Sequence, residues 1–261
     1  MLYRDLAPIS NEAWKEIDER AEEVLKAYLS ARKVVHVKGP KGLEYNVIPE
    51  GRLTSVEEVD GVSYGIYKVL PLLESRIEFE MDRWELDNVN RGAKDVEFEP
   101  LEEAMKKLAL FEENSIYNSC DQAIVHGMNE NIENAQIDFG NNPTEIMEAI
   151  SKGLLQLRMA YAEGPFSLVV NKEAYKRILS KDSGYPLDRR IENLIGGKII
   201  FSHVVKGAYL LPYNHEDLEL TIGRDYSIGY QSHNAETVRF FATESFTFRV
   251  LDPALIVKLK V

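Results

Sequence analysis

The sequence predicts an α+β protein, and a long amphipathic helix, an alternating strand and a hairpin support that prediction. The helix signal begins at Pro100, which suits a first helical position, and its inward positions recur at helical spacing: Leu101, Ala104, Met105, Leu108, Phe111 and Ser115. The strand signal covers residues 236–251, where apolar side chains share one parity: Val238, Phe240, Ala242, Phe246, Phe248 and Val250. The hairpin signal is Asp60-Gly61 between β-rich arms at residues 43–56 and 62–69.

Composition limits the classes of protein that fit. A chain of 261 residues can form one large domain or two modest ones, and 44% hydrophobic residues are enough for a core. The net charge of −12, with no cluster of Lys and Arg, argues against a broad nucleic-acid-binding face. Cys120 is the only cysteine, which fits a reducing cytoplasm, and the N-terminus lacks the apolar core of a signal peptide. No apolar run approaches the ~20 residues of a membrane span.

The first half of the chain starts with a helix that Ser10 can cap near Glu12. Its apolar face consists of Trp14, Ile17, Ala21, Val24, Leu25 and Tyr28. A short β-like run follows at residues 34–37. The hairpin at residues 42–70 carries few apolar residues and is marginal in water, so it needs a neighbour, such as another subunit, to pack against. A strand-like segment at 76–81 then leads through residues 84–92 to the long helix.

The second half opens after a polar, glycine-marked region at residues 127–142. Asn142 and Pro143 supply a cap and a first helical position. Strands are predicted at 166–170 and 198–204, a helix at 172–180, and a short helix ending at Gly196-Gly197, with a turn-rich loop at 182–186. In the C-terminal strand Glu244 falls on the apolar parity. It is either paired there or displaced by a bulge, because an unpaired buried acid is costly.

The sequence contains no recognisable catalytic or metal-binding pattern. The five histidines lack ligand spacing, and there is no phosphate-cradling loop and no Gly-x-Ser-x-Gly elbow. Cys120 has no local histidine and is interpreted as structural. Trp84 lies beside Arg83 and Arg91, so it could stack on an aromatic ligand, anchor a subunit interface or pack in the core.

Ordered short strings give the chain a family resemblance. The opening Ala7-Pro8, Trp14, Ile17-Asp18 and Arg20-Ala21, and above all Trp84-Glu85-Leu86-Asp87-Asn88 with Arg91-Gly92, resemble the shell proteins of family 1 encapsulins, the linocin-type bacteriocin family. Later strings recur in the same order: Glu163-Gly164-Pro165, Tyr185-Pro186-Leu187, Gly196-Gly197-Lys198-Ile199-Ile200, Ser227-Ile228-Gly229-Tyr230 and Thr243-Glu244-Ser245-Phe246-Thr247-Phe248. Each string is weak alone, but their number and order are specific.

The resemblance implies the fold of tailed-phage major capsid proteins. A peripheral domain would comprise residues 1–41, 71–126 and 212–261, an extended loop residues 42–70, and an axial domain residues 127–211. Many copies would close into an icosahedral, non-enzymatic shell in the cytoplasm. The shell would enclose a cargo enzyme, such as a ferritin-like iron-storage protein or a dye-decolorising peroxidase, bound through a C-terminal targeting peptide. No nucleic-acid or membrane partner is expected.

The resemblance also implies candidate site residues. Cargo would bind at Val24, Leu25, Arg32, Ile228 and Tyr230. Pores for small ions or substrates would involve the loop residues Asp182, Ser183, Gly184 and Tyr185. No cofactor is required, but a flavin is possible at Trp84 with Arg76 nearby, although both residues could equally serve packing. The alternatives are a phage or prophage major capsid protein and a stand-alone enzyme such as a protease.

Overall fold

A computed structural model describes residues 2–180 and 185–261. The first half of the chain forms, in order, α1 (Asn11–Tyr28), β1 (His36–Lys38), β2 (Val47–Val59), β3 (Val62–Pro71), β4 (Leu73–Asp82), α2 (Arg83–Arg91) and α3 (Glu99–Tyr117). The second half forms β5 (Ile137–Asp138), α4 (Pro143–Met159), β6 (Phe166–Val170), α5 (Lys172–Leu179), α6 (Leu187–Ile195), β7 (Ile199–Phe201), β8 (Ala208–Pro212), β9 (Leu218–Ile222), β10 (Ser227–His233), β11 (Thr237–Val250) and β12 (Val257–Lys260).

Strand β11 organises the first sheet. It pairs antiparallel with β10, β4 and β9, and β1 adds to β9 in parallel. Helices α1, α2 and α3 cover one face through a core that includes Trp14, Leu101 and Phe240. Because both faces of β11 are covered, residues of both parities between Phe240 and Phe248 are buried, and the alternation expected from the sequence is lost in the middle of the strand.

The second sheet has the order β5-β12-β8-β6-β7. Every residue of β6 and β8 is buried, since α4, α5 and α6 pack on one face and the first sheet's core continues onto the other. The C-terminal strand β12 lies here, between β5 and β8. The predicted peripheral domain included all of residues 212–261, so this pairing moves residues 257–260 into the sheet of the predicted axial domain. The domain division otherwise stays a prediction.

The hairpin of β2 and β3 projects with almost all of its surface exposed. Asp60 and Gly61 have φ values of 48° and 79°, which is the left-handed pair of a two-residue type I′ turn. The strands therefore continue through residues 57–59, where the sequence predicted the connection. Ile48, at the base, is buried, whereas the apolar side chains farther out are exposed: Val56, Val59, Val62, Tyr64, Ile66, Tyr67 and Val69.

Several boundaries differ from the sequence prediction. Residues 83–91 form α2, in a stretch that the sequence left unassigned. The Asp82 carboxylate caps this helix by accepting from the backbone N–H groups of Trp84 (2.7 Å) and Glu85 (3.2 Å). Strand β1 begins at His36 because the N–H groups of Val34 and Val35 donate to the Ala31 carbonyl in the turn before it. Strand β7 is shorter than predicted and ends at Phe201.

Candidate binding groove

An apolar groove of about 550 Å³ lies between α1 and the start of β10. We call it the α1 groove. It is lined by Leu2, Arg4, Asp18, Ala21, Glu22, Leu25, Lys26, Leu29, Arg32, Lys33, Met105, Asp225, Tyr226, Ser227 and Ile228. Helix α1 contributes Asp18, Ala21 and Leu25, which recur at helical spacing and therefore face one side, and Leu29 follows at the end of the helix. The N-terminal segment contributes Leu2 and Arg4 to the lining, and α3 contributes Met105.

Ion pairs hold the walls of the groove. Arg4 donates two hydrogen bonds to the Asp18 carboxylate (3.2 and 2.7 Å), and its guanidinium lies 3.9 Å from the centre of the Trp14 ring. The N-terminal segment is thereby fastened to α1. Lys26 pairs with Glu22 at 2.6 Å along the helix surface.

Arg32 joins four structural elements beneath the groove. Its guanidinium contacts the carboxylates of Glu112 (2.5 Å) in α3, Asp225 (2.7 Å) before β10, and Glu244 (3.3 Å) in β11. Glu112 and Glu244 are completely buried, whereas the Arg32 side chain is 17% exposed. Removing one partner from such a network leaves uncompensated buried charge, which costs about 3–5 kcal/mol. Arg32 therefore positions the groove, since its donors are already engaged within the subunit.

Glu244 resolves the alternative left open by the sequence. Register between β11 and β4 is continuous at Glu244 opposite Ser75, so no bulge displaces it, and the pairing hypothesis is confirmed. Burial, reinforced by the neighbouring Glu112 charge, raises the pKa of Glu244 well above its ordinary value, while Arg32 opposes the shift.

Glu113 anchors the chain segment that carries Arg32. Its buried carboxylate accepts from the backbone N–H groups of Ser30 (2.9 Å) and Ala31 (2.7 Å) and from the Ser30 hydroxyl. Burial raises the pKa of Glu113 to about 7, although these hydrogen bonds lower it. The adjacent glutamates of α3 thus fix the turn that follows α1. The apolar spacing of the helix gave no sign of them, because acidic residues at these positions read as solvent-facing.

The predicted cargo residues divide between the groove and its surroundings. Leu25, Arg32 and Ile228 line the α1 groove, whereas Val24 and Tyr230 do not and instead pack half-buried against the neighbouring core. The Ile228 side chain is itself part of that core, and the residue is 5% exposed. Sequence reasoning missed the N-terminal wall, Leu2 and Arg4, because nothing in their local pattern places them beside β10.

Trp84 is not a core residue. Its side chain is 67% exposed at the start of α2, and the Arg91 guanidinium lies 5.1 Å from the centre of its ring. Arg76 stacks 3.7 Å from the centre of the Phe241 ring and donates to Gln231 at 2.8 Å. Arg76 precedes the end of β4 by six residues, so the two side chains are separated by about 20 Å of extended strand. One ligand within a single subunit would have to span this separation to touch both side chains.

The predicted pore residues lie mostly outside the part of the chain that the structure describes. Asp182, Ser183 and Gly184 lie outside the described residues, and Tyr185 is exposed just before α6. Within residues 2–180 and 185–261, no group of three or more His, Cys, Asp or Glu side chains could hold a metal ion. No helix in this part of the chain combines the length and apolar character needed to cross a membrane.

Sequence comparisons identify close relatives over nearly the whole chain. A family model described as "Encapsulating protein for peroxidase" matches residues 1–247. A type 1 encapsulin shell protein of Mycobacterium tuberculosis is 36% identical over 249 residues, which cover 95% of this chain and 94% of the relative. One from Rhodococcus erythropolis is 36% identical over 260 residues, covering 99% and 98%.

Solved structures show the same fold at lower identity. A virus-like particle from Pyrococcus furiosus superposes with a TM-score of 0.67 at 19% identity, covering 94% of this chain and 98% of that one. The capsid of Myoviridae phage XM1 superposes with a TM-score of 0.55 at 10% identity, covering 87% and 90%. The fold is thus that of tailed-phage capsid proteins, as predicted.

Proposed function

Because this chain belongs to the encapsulin family of shell proteins, we propose that copies of it close into an icosahedral shell around a cargo enzyme. The curated relatives are named shell proteins, so the role is structural and not enzymatic. The observation that supports assembly most directly is the exposed hairpin, whose apolar residues have no cover within the subunit. Permanent interfaces often bury more than ~2,000 Å² of largely apolar surface, which such an arm can supply.

The α1 groove is the proposed cargo site. Its apolar wall and concave shape suit a short segment laid between a helix and a strand, and it contains three of the predicted residues, Leu25, Arg32 and Ile228. The proposed occupant is the C-terminal targeting peptide of the cargo. The cargo classes we favour are ferritin-like iron-storage proteins and dye-decolorising peroxidases, and the description of the matching family model names a peroxidase. A cytoplasmic location is part of the proposal and is consistent with the single cysteine.

Substitution of Leu25 tests the cargo site. Leu25→Asp places a charge on the apolar wall, and we expect shells to form while the copurifying cargo is lost. Leu155→Asp is the matched control, because Leu155 is a 61% exposed leucine on α4 outside the groove. Cargo per shell is measured by gel densitometry of purified particles. Undiminished cargo in Leu25→Asp shells would reject the groove.

Pores and flavin complete the proposal. We propose that residues 182–185 border a pore for small ions or substrates. Of these four residues the structure describes Tyr185, whose side chain is exposed. An exposed tryptophan ring on α2 is available for stacking, and we propose that a flavin binds at Trp84. Arg76 would take part from a neighbouring subunit.

The alternative function is that of a phage capsid protein, which would enclose nucleic acid and not a cargo enzyme. The ratio of absorbance at 260 nm to that at 280 nm, measured on purified particles, distinguishes the two contents.

A further inference from the structure

One end of the second sheet brings together lysines that are far apart in the sequence. The ends of β6, β7 and β12 and the start of β8 lie side by side there, because Val170 pairs with both Phe201 and Ala208, and Leu259 pairs with Ala208. Five lysines lie at this end or directly beyond it, and we call them the basic rim: Lys172, Lys176, Lys206, Lys258 and Lys260. Their dispersal along the chain hid this cluster from sequence reasoning.

Contacts within the rim hold its lysines near one another. The Asn171 N–H donates to the Gly207 carbonyl at 3.0 Å, so Lys172 and Lys206 leave neighbouring points of the backbone. Burial lowers the pKa of Lys258, and the ammonium charges of Lys206 and Lys260 lower it further. The ammonium groups are therefore close enough to repel one another.

A pocket of about 440 Å³ lies at the β7 side of the rim. Its lining consists of Asn171, Lys172, Glu173, Lys176, Phe201, Ser202 and His203. Lys106 of α3 lies beside it, since its ammonium is 5.6 Å from the centre of the Tyr28 ring, and that ring is 4.6 Å from the His203 ring. Burial lowers the pKa of His203, and the charge of Lys106 lowers it further. The pocket is thus partly desolvated and positively charged.

The carboxylates near the rim are engaged with other groups. Glu173 pairs with Arg177 at 3.5 Å, and Asp138, opposite Lys260 in the sheet register, accepts from the Gly140 N–H at 2.8 Å. Among the described residues, no carboxylate oxygen lies within 4.0 Å of an ammonium group of the rim. In a chain with a net charge of −12, this concentration of uncompensated positive charge indicates an anion from outside the subunit.

The side chains of the rim favour a chain of phosphates as that anion. A lysine ammonium is a compact point charge that suits phosphate oxygens, whereas arginine is the residue that recognises planar carboxylates. From β7 to β12 the rim spans three strand spacings, about 14 Å, which is wider than one phosphate ion. Single-stranded nucleic acid needs rings that stack on its bases, whereas Phe201 here packs against His203 (4.8 Å) and Tyr175 (5.8 Å).

We propose that the basic rim binds an inorganic oligophosphate, with Lys172 and Lys176 holding one end of it at the pocket and Lys206, Lys258 and Lys260 holding the phosphates beyond. The bound anion relieves the repulsion among the ammonium groups. All of these lysines belong to one subunit, so each copy carries a complete site. The site is separate from the α1 groove and gives the protein an anion-binding activity besides shell formation.

Equilibrium dialysis of the purified protein against radiolabelled tripolyphosphate, at constant ionic strength, tests the site. Lys176→Gln removes one ammonium from the pocket, and we expect its Kd to rise about five- to tenfold, whereas Lys176→Arg keeps the charge and should bind within about twofold of the wild type. Lys198→Gln is the matched control. Lys198 is an exposed lysine that precedes the other end of β7 and pairs with Glu192 at 3.5 Å, so its loss should leave the Kd unchanged.

Competition on the wild-type protein identifies the ligand. Orthophosphate should displace the probe about tenfold less effectively than unlabelled tripolyphosphate, because one chain engages several lysines at once. No retention of the probe, or equal Kd values for Lys176→Gln and Lys198→Gln, overturns the site. Orthophosphate that competes as well as tripolyphosphate, or single-stranded RNA that competes at a lower phosphate concentration, overturns the assignment to an oligophosphate. Shell formation and cargo binding in the α1 groove do not depend on any of these results.

Discussion

Buried acids, and not the apolar residues that surround them, set the precision of the groove. Glu112 and Glu244 hold Arg32 in the groove lining, and Glu113 fixes the preceding turn through Ser30 and Ala31. Such networks are costly to leave half-satisfied, so they define one arrangement of α1 relative to β10 and α3. Residues that never touch the occupant thus determine the shape of the surface that it meets.

Glu113 should make subunit stability depend on pH. Its folded pKa of about 7 exceeds the ordinary 4.5, so the folded state binds the proton more tightly. The resulting stability is fully present below pH 4.5 and is lost as pH rises through 7, by about 3 kcal/mol in total. Glu244, whose pKa is also raised, acts in the same direction. Tyr117, which faces Glu113 and has a pKa raised chiefly by burial, stays neutral in this window.

Glu113→Gln tests this dependence. The amide cannot ionise, so the fall in Tm between pH 4.5 and 7 should be shallower than in the wild type. The exposed Glu148→Gln is a control for loss of one negative charge on a helix. Thermal melts across that range in one buffer series measure the difference. Parallel Tm curves for wild type and Glu113→Gln would show that another group controls the transition.

Trp84 distinguishes a passive shell from one that carries a redox ligand. If a flavin stacks on the exposed ring, cargo-free shells absorb in the flavin bands, and Trp84→Ala loses that absorbance, since an aromatic stack contributes about 0.5–1.5 kcal/mol beyond burial. Arg76→Ala should reduce retention as well if a second copy supplies that arginine. Absorbance spectra of shells purified after growth with riboflavin provide the measurement. Colourless wild-type shells would exclude the ligand.

At the scale of elements, the sequence predicted the helix caps and turns that depend on residues close together in the chain. The Ser10 and Asn142 caps and the Asp60-Gly61 turn each depend on neighbours in sequence, and these predictions are confirmed. The alternation predicted for β11 is not kept between Phe240 and Phe248, where every residue is buried. Long-range pairing was not predictable in this way. The insertion of β12 between β5 and β8, and the position of Leu2 beside Tyr230, join residues far apart in the chain. Even the groove residues came from family resemblance, because no local pattern distinguishes Leu25 from Val24.

The hairpin should serve assembly and not the fold of the subunit. Ile48 at its base is buried, so a deletion should keep residues 47–50 and 69–71, remove 51–68 and insert an Asn-Gly turn. The remaining chain keeps its buried cores and should unfold at a Tm close to the wild-type value. Size-exclusion chromatography should then show free subunits or fragments instead of complete shells. Normal shells from this variant would mean that the hairpin is dispensable.

At the scale of the whole molecule, the subunit has features of a part of a larger object. Its cores are covered by its own helices, yet the hairpin exposes apolar side chains that the described part of the chain does not cover. Apolar side chains grouped on an exposed arm are typical of a surface that binds another protein. Family membership and the capsid-like fold identify that partner as further copies of the same chain.

Electron microscopy of the purified protein, with light scattering on the same sample, tests this central claim most directly. We predict closed particles of uniform diameter with icosahedral symmetry, which contain protein and not nucleic acid. Only monomers or dimers, in a sample whose circular dichroism shows folded chains, would contradict the account.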